Sequence, residues 1–274
     1  MIVDCHAHIF PEKIASKVLE LNRQNLGLEP YGSGTTSDLI AYLDRAGIDY
    51  AIAFGVAPDG KLVRATNDWL LSQANERLLL FGTMTPDFEQ WESEIDRLKA
   101  AGVIGIKFNP LFQKIVPEDP IMYPIYEKLA QEDMFVFFHS GKGCAHDDRA
   151  DMRSTPAGLR RLHEDHPGLR LICAHFGGSG MLDEVLTYLA GEDLFLDTSQ
   201  TPTCKELDVG TVLELINKHG SDRILYATDY PWARQGTKYG WEYEWIRTLS
   251  IPEEDKELIL GGNAQRLFNL SPRA

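Results

Sequence analysis

An α/β chain folded as a distorted (β/α)8 TIM barrel is the class the sequence predicts, on three observations. Short β-branched or aromatic runs alternate with longer stretches of helical period, there are eight such runs, and the units fill nearly all of the 274 residues. A doubly wound open sheet would use fewer strands and would follow the first with a glycine-rich phosphate turn. His6-Ala7-His8 stands in that place instead. One domain over residues 1–274 is therefore expected, with its site at the C-terminal mouth of the barrel.

In chain order, the strands are expected at 2–9, 49–57, 78–84, 103–109, 134–140, 169–175, 194–199 and 224–230. Helical spacing places helices at 37–46, closed by Gly47, at 63–75, and at 88–101, where Trp91, Ile95, Leu98 and Ala101 form one stripe and Gly102 ends it. Further helices are expected at 121–131, 156–164, 180–190 and 209–218. After the last strand come 241–249, 252–260 and a short helix capped by Asn263 and running to Phe268. Two long connections, 10–36 and 141–155, are lid candidates.

Composition narrows the function classes. Lys plus Arg number 27 against 41 Asp plus Glu, a net charge of −14, so the basic excess that nucleic acid or an anionic membrane requires is missing. The negative charge is expected on outer helix faces such as 89–96 and 253–257. No apolar run reaches the length of a membrane span, and the opening MIVDCHAH reads as a strand and not as a signal peptide. Four cysteines without a CxxC pair suit a reducing cytoplasm, where the protein is expected. A small-molecule substrate is the expected partner, and homo-oligomer formation is left open.

Barrel sites are built from the residues that end the strands. His6 and His8 end the first, and their spacing of two turns both imidazoles to one face. Lys107 lies on the fourth, His139 ends the fifth, His175 the sixth, Asp197 lies on the seventh and Asp229 ends the eighth. Singly, each has a plain reading: His139 as a core histidine, Asp229 as a turn residue. Together they count for more, because the other histidines, His146, His163, His166 and His219, fall in loops or on helix surfaces. Imidazoles and a carboxylate converging on one mouth form a divalent-metal ligand set, zinc above all.

The segments DCHAH at 4–8, TNDWL at 66–70, GIKFNP at 105–110, FFHSG at 137–141, ICAHFGG at 172–178, LDTS at 196–199, ATDYPW at 227–232 and GGNAQRLF at 261–268 occur in specific order and spacing. In these the chain resembles the amidohydrolase superfamily, in the branch that includes aminocarboxymuconate-semialdehyde decarboxylase and many metal-dependent hydrolases. The resemblance implies that His6, His8, His139 and Asp229 bind the metal, with His175 beside it as a catalytic or water-orienting residue. In binuclear relatives a carboxylated lysine from strand four bridges two metals. For Lys107 that role, substrate-carboxylate binding and pairing with an acid all stay open, with one zinc ion favoured over two.

The chemistry expected from this set is hydrolysis of a small-molecule C–N or C–O bond by metal-activated water, with Asp229 moving the proton and His175 holding water or an oxyanion. Asp197 and Asp4 are candidate acceptors behind the ligand imidazoles, although Asp4 reads equally as a buried carboxylate of the barrel floor. Trp232 is expected to shape the pocket. Arg149, in the loop with Cys144, His146, Asp147 and Asp148, could reach an anionic substrate. Trp241 and Trp245 read as a packing face. The alternative reaction is non-oxidative decarboxylation of a small unsaturated or aromatic acid. A metal-binding barrel without catalysis is a third reading, against which His175 and Asp229 argue.

Overall fold

The computed structural model describes residues 1–26, 29–142, 153–199, 207–232 and 242–273. Its eight strands are β1 Val3–His8, β2 Tyr50–Phe54, β3 Leu78–Thr83, β4 Gly105–Phe108, β5 Phe135–Phe138, β6 Arg170–Cys173, β7 Phe195–Asp197 and β8 Ile224–Leu225. They pair in parallel in sequence order. Around them run α1 Glu12–Leu26, α2 Thr36–Ala46, α3 Gly60–Ser72, α4 Trp91–Ala100, α5 Pro110–Gln113, α6 Tyr123–Gln131, α7 Pro156–Asp165, α8 Leu182–Tyr188 and α9 Val209–His219. The helices α10 Glu242–Thr248, α11 Glu253–Glu257 and α12 Asn263–Phe268 follow β8.

Strand alternation sorts the apolar residues into two cores. Phe135 and Phe137 of β5 point into the barrel with Phe54, Phe81 and Ile172, while Val136 and Phe138 pack outward under the helices. Gly105 lets the interior close: a Cβ there would lie 2.4 Å from the Phe81 ring and 2.7 Å from the Phe135 carbonyl.

The barrel closes between β8 and β1 by a stitched seam, with no continuous ladder. Cys5 N donates to Tyr226 O at 2.8 Å, Asp229 N to His6 O at 3.0 Å and His8 N to Tyr230 O at 2.7 Å. Asp4 reinforces the seam by accepting from Thr228 N at 3.0 Å, Thr228 Oγ1 at 2.6 Å and His6 N at 3.1 Å. It is thus a buried structural carboxylate that sets β1 against the β8 turn. Burial pushes its pKa up to about 7 against these hydrogen bonds.

Several expectations need correction. The connection 10–36 contains α1, whose Ala15 and Leu19 are buried while Ile14 and Leu21 face solvent. Most of the second lid candidate, including Cys144, His146, Asp147, Asp148 and Arg149, lies outside the described residues, as does Trp241. Asn263 does not cap a helix: the chain runs from α11 through a π-turn into α12, and the Asn263 amide donates to Ser221 O at 2.7 Å and Ile224 O at 2.8 Å. Glu94 is not a solvated face residue but fully buried among arginines, and His219 is buried and not on a helix surface.

Candidate metal centre

At the end of β1, His6 Nε2 and His8 Nε2 lie 3.4 Å apart, and each is 3.3 Å from Asp229 Oδ1. Donors about 2.0–2.2 Å from a shared ion sit roughly 3.0–3.5 Å apart, so the three atoms already have the spacing of one coordination sphere. Among the described residues these three form the group able to hold an ion. Asp229 reaches it through a left-handed turn, φ 63°, after β8 has left the ladder, and Trp232 N closes that turn on Asp229 O at 2.8 Å. A left-handed conformation in a non-glycine residue costs about 1–2 kcal/mol and is kept where surrounding contacts enforce it.

Behind the cluster, Asp197 of β7 accepts from His6 Nδ1 at 2.7 Å. That bond puts the ring proton on Nδ1 and leaves Nε2 as the lone pair facing His8 and Asp229. Ser199, which sequence reading passed over inside LDTS, ties the group together. Its hydroxyl donates to Asp197 Oδ1 at 2.5 Å and lies 3.1 Å from His6 Nδ1 and 3.0 Å from His175 Nδ1. A small hydroxyl two residues beyond a strand-end acid was the available signal.

His139 and His175 face each other a short way off, with His175 Nε2 2.9 Å from His139 Nδ1. His139 lies outside the three-residue group, and its Nε2 is buried with no hydrogen-bond partner among the described residues. His175, like Asp229, has a positive φ, 59°. Lys107 is fully buried, its Nζ 3.4 Å from His6 Nε2 and stacked 3.9 Å over the Phe137 ring and 4.6 Å from that of Phe54.

The electrostatics suit a cation. Burial first, then Lys107, holds His6 well below the usual histidine range, burial does the same for His139, and burial lowers His175, which favours the neutral ring at these three positions. Burial would raise the Asp229 carboxyl, but positive charge in the imidazole cluster, on His6 first, and a hydrogen bond from His8 outweigh it, so the ionised carboxylate is the form that a cation at this point favours. Burial brings Lys107 down to about 7 against the pull of Asp197 and Asp229. Two imidazoles and a carboxylate converging on one point, with a second acid behind the His6 ring, fit a divalent metal.

The chain was compared with known proteins. It is 27% identical over 124 residues to gamma-resorcylate decarboxylase of Rhodococcus jostii, an alignment covering 40% of this chain and 36% of that protein. With the enzyme of the same name from Polaromonas sp. it shares 24% identity over 252 residues, 76% of each chain. Among solved structures, a dihydroxybenzoic acid decarboxylase from Polaromonas with bound manganese and the inhibitor 2-nitroresorcinol superposes with a TM-score of 0.70. Its identity is 19%, over 99% of this chain and 98% of that one, a likeness of fold.

The expectation of hydrolysis is corrected by these relatives, which are decarboxylases. A metal-ligand cluster by itself does not fix which of the two reactions a barrel carries out. The preference for zinc gains no support, since the Polaromonas structure holds manganese. The amidohydrolase family model matches residues 3–270, through every strand of the barrel and the whole seam, and the chain belongs to that family.

Proposed function

We propose that the protein is a metal-dependent, non-oxidative decarboxylase of an aromatic carboxylic acid with a hydroxyl beside its carboxylate. The alignment with the Polaromonas decarboxylase over three quarters of both chains carries this reading, and the His6–His8–Asp229 cluster supports it. His6, His8 and Asp229 would hold the ion, and His139 is the further imidazole at the mouth. Manganese is the ion we favour, as in the Polaromonas structure, and one ion per site is expected. A divalent ion bound there supplies a Lewis acid that draws negative charge onto substrate oxygens.

The chain's own residues do the rest. Asp229 takes the proton of the neighbouring hydroxyl and returns it to the ring carbon that bears the carboxylate. The carbon–carbon bond then breaks with its electron pair entering the ring, CO2 leaves, and the product is the phenolate. His175 is the second proton-holding group at the mouth. Phe54 and Phe137, both fully buried, pack edge-on against the His6 ring and make the wall behind it apolar, which suits loss of CO2 over water addition. Trp232, buried and joined to Asp229 through its backbone N–H, is a candidate wall of the pocket, and Arg149 is a candidate for the substrate's outer edge.

The reading is tested with carboxyl-labelled 2-hydroxybenzoates, 2,6-dihydroxybenzoate included, and purified protein loaded with manganese. Labelled CO2 and a product without the carboxyl group are expected, both lost in Asp229→Asn. Metal-loaded protein that releases no CO2 from any of these acids would refute it.

A further inference from the structure

We propose that Lys107 is a positioning residue that competes with the bound divalent ion for His6 and thereby sets the affinity of the site. The inference rests on the metal reading above. Asp197 accepts a hydrogen bond from the Nδ1–H of His6, so Nε2 carries that ring's lone pair, and Lys107 Nζ lies 3.4 Å from it. A lysine amine carries N–H in either protonation form, so this contact needs no particular charge.

No other acceptor stands within hydrogen-bond distance of Nζ among the described residues, Asp197 and Asp229 acting on it only through space. Its other close neighbours are the ring faces of Phe137 and Phe54, and His6 Nε2 is its only hydrogen-bond partner among the described residues. Nor can the side chain withdraw, since Lys107 is fully buried and its backbone is held in register with Thr83 on β3 and Phe137 on β5. An ion that takes the His6 lone pair therefore leaves a buried N–H unmatched, and that loss is subtracted from the affinity. A residue that merely supported the site would act with the opposite sign, its removal weakening metal binding.

The test is titration of metal-free wild-type protein, Lys107→Met and Lys107→Gln with Mn2+ and with Zn2+, by calorimetry or chelator competition. Methionine is unbranched like lysine, one atom shorter, and suits an aromatic slot. Lys107→Met is expected to bind each ion roughly tenfold more tightly than wild type, with Lys107→Gln between them. Equal or weaker binding by a folded Lys107→Met overturns the inference and leaves the metal reading standing. No stoichiometric binding by any of the three proteins overturns both. If Lys107→Met does not fold, Lys107→Gln decides: tighter binding supports the competition, equal or weaker binding ends it.

Discussion

Glu94, fully buried between α3 and α4, has both carboxylate oxygens matched: Asn67 Nδ2 at 2.9 Å and Arg97 Nη2 at 2.6 Å on one, Arg64 Nη1 and Arg97 Nε at 2.9 Å on the other. Asn67 in turn brackets Thr83, bonding its N at 2.9 Å and its O at 3.1 Å, which fastens both helices to the end of β3. Asp229 is also buried, but its ring neighbours His6 and His8 both stand at 3.3 Å around one point, the spacing of a shared coordination sphere. The histidines repeat the contrast. His219 uses both nitrogens, Nε2 donating to Leu194 O at 3.1 Å and Nδ1 accepting from Gly191 N at 3.3 Å, whereas His139 Nε2 has no such partner among the described residues. A saturated buried cluster stabilises a fold; ligand atoms that converge on one point favour a cation between them.

The largest expected effect comes from breaking the His6–His8–Asp229 cluster. Asp229→Asn should lower turnover by about 10³-fold or more, with metal-free stability changed by under about 1 kcal/mol, compared by CO2 release and urea unfolding. Glu94→Ala should do the reverse. It leaves Asn67 and two arginines unmatched and should cost about 3 kcal/mol, the low end for a buried pair because Arg64 and Arg97 reach solvent. Turnover per folded molecule should stay within about twofold of wild type; a thousandfold loss there would erase the distinction between the clusters.

Asp197→Asn sharpens the comparison at one atom. An amide that offers N–H to His6 Nδ1 pushes the ring proton to Nε2 and removes the metal's lone pair, so ion affinity should fall about 10- to 100-fold by calorimetry. The smallest effect is on pH dependence. Burial, helped by Arg223, lowers the pKa of His219 to about 4, while the unfolded chain titrates near 6.5. The unfolded state thus takes the proton first, and stability is full above about pH 6.5 and lost as pH falls toward 4. About 2 kcal/mol should go between pH 7 and 5, and His219→Gln should flatten that slope in urea titrations.

Much of the fold was legible because strand and helix periods are local. All eight expected strands are present, and α2 ends at Gly47, which has φ 66°, as its position suggests. The helix α1 escaped notice because the Pro11 and YGSGTT breaks around it read as one long loop, although Ala15, Val18 and Leu19 carry the helical spacing. Strands β7 and β8 are shorter than expected, because past Asp197 and Leu225 the chain turns to present Ser199 and Asp229. Glu94 read as a surface charge because its partners Arg64 and Asn67 come from another helix, about thirty residues away.

By itself the sequence determined which residue types end the strands, and period-two alternation turned His6, His8 and Lys107 inward. Only the tertiary structure decided that Asp197, 191 residues from His6, would hold its Nδ1 proton, that Asp4 would bind the β8 turn, and that Lys107 would stand against the lone pair a metal needs. The reason is physical. Which inward side chains meet across a barrel depends on strand tilt and register around the whole closed sheet, and no local stretch of chain encodes that sum.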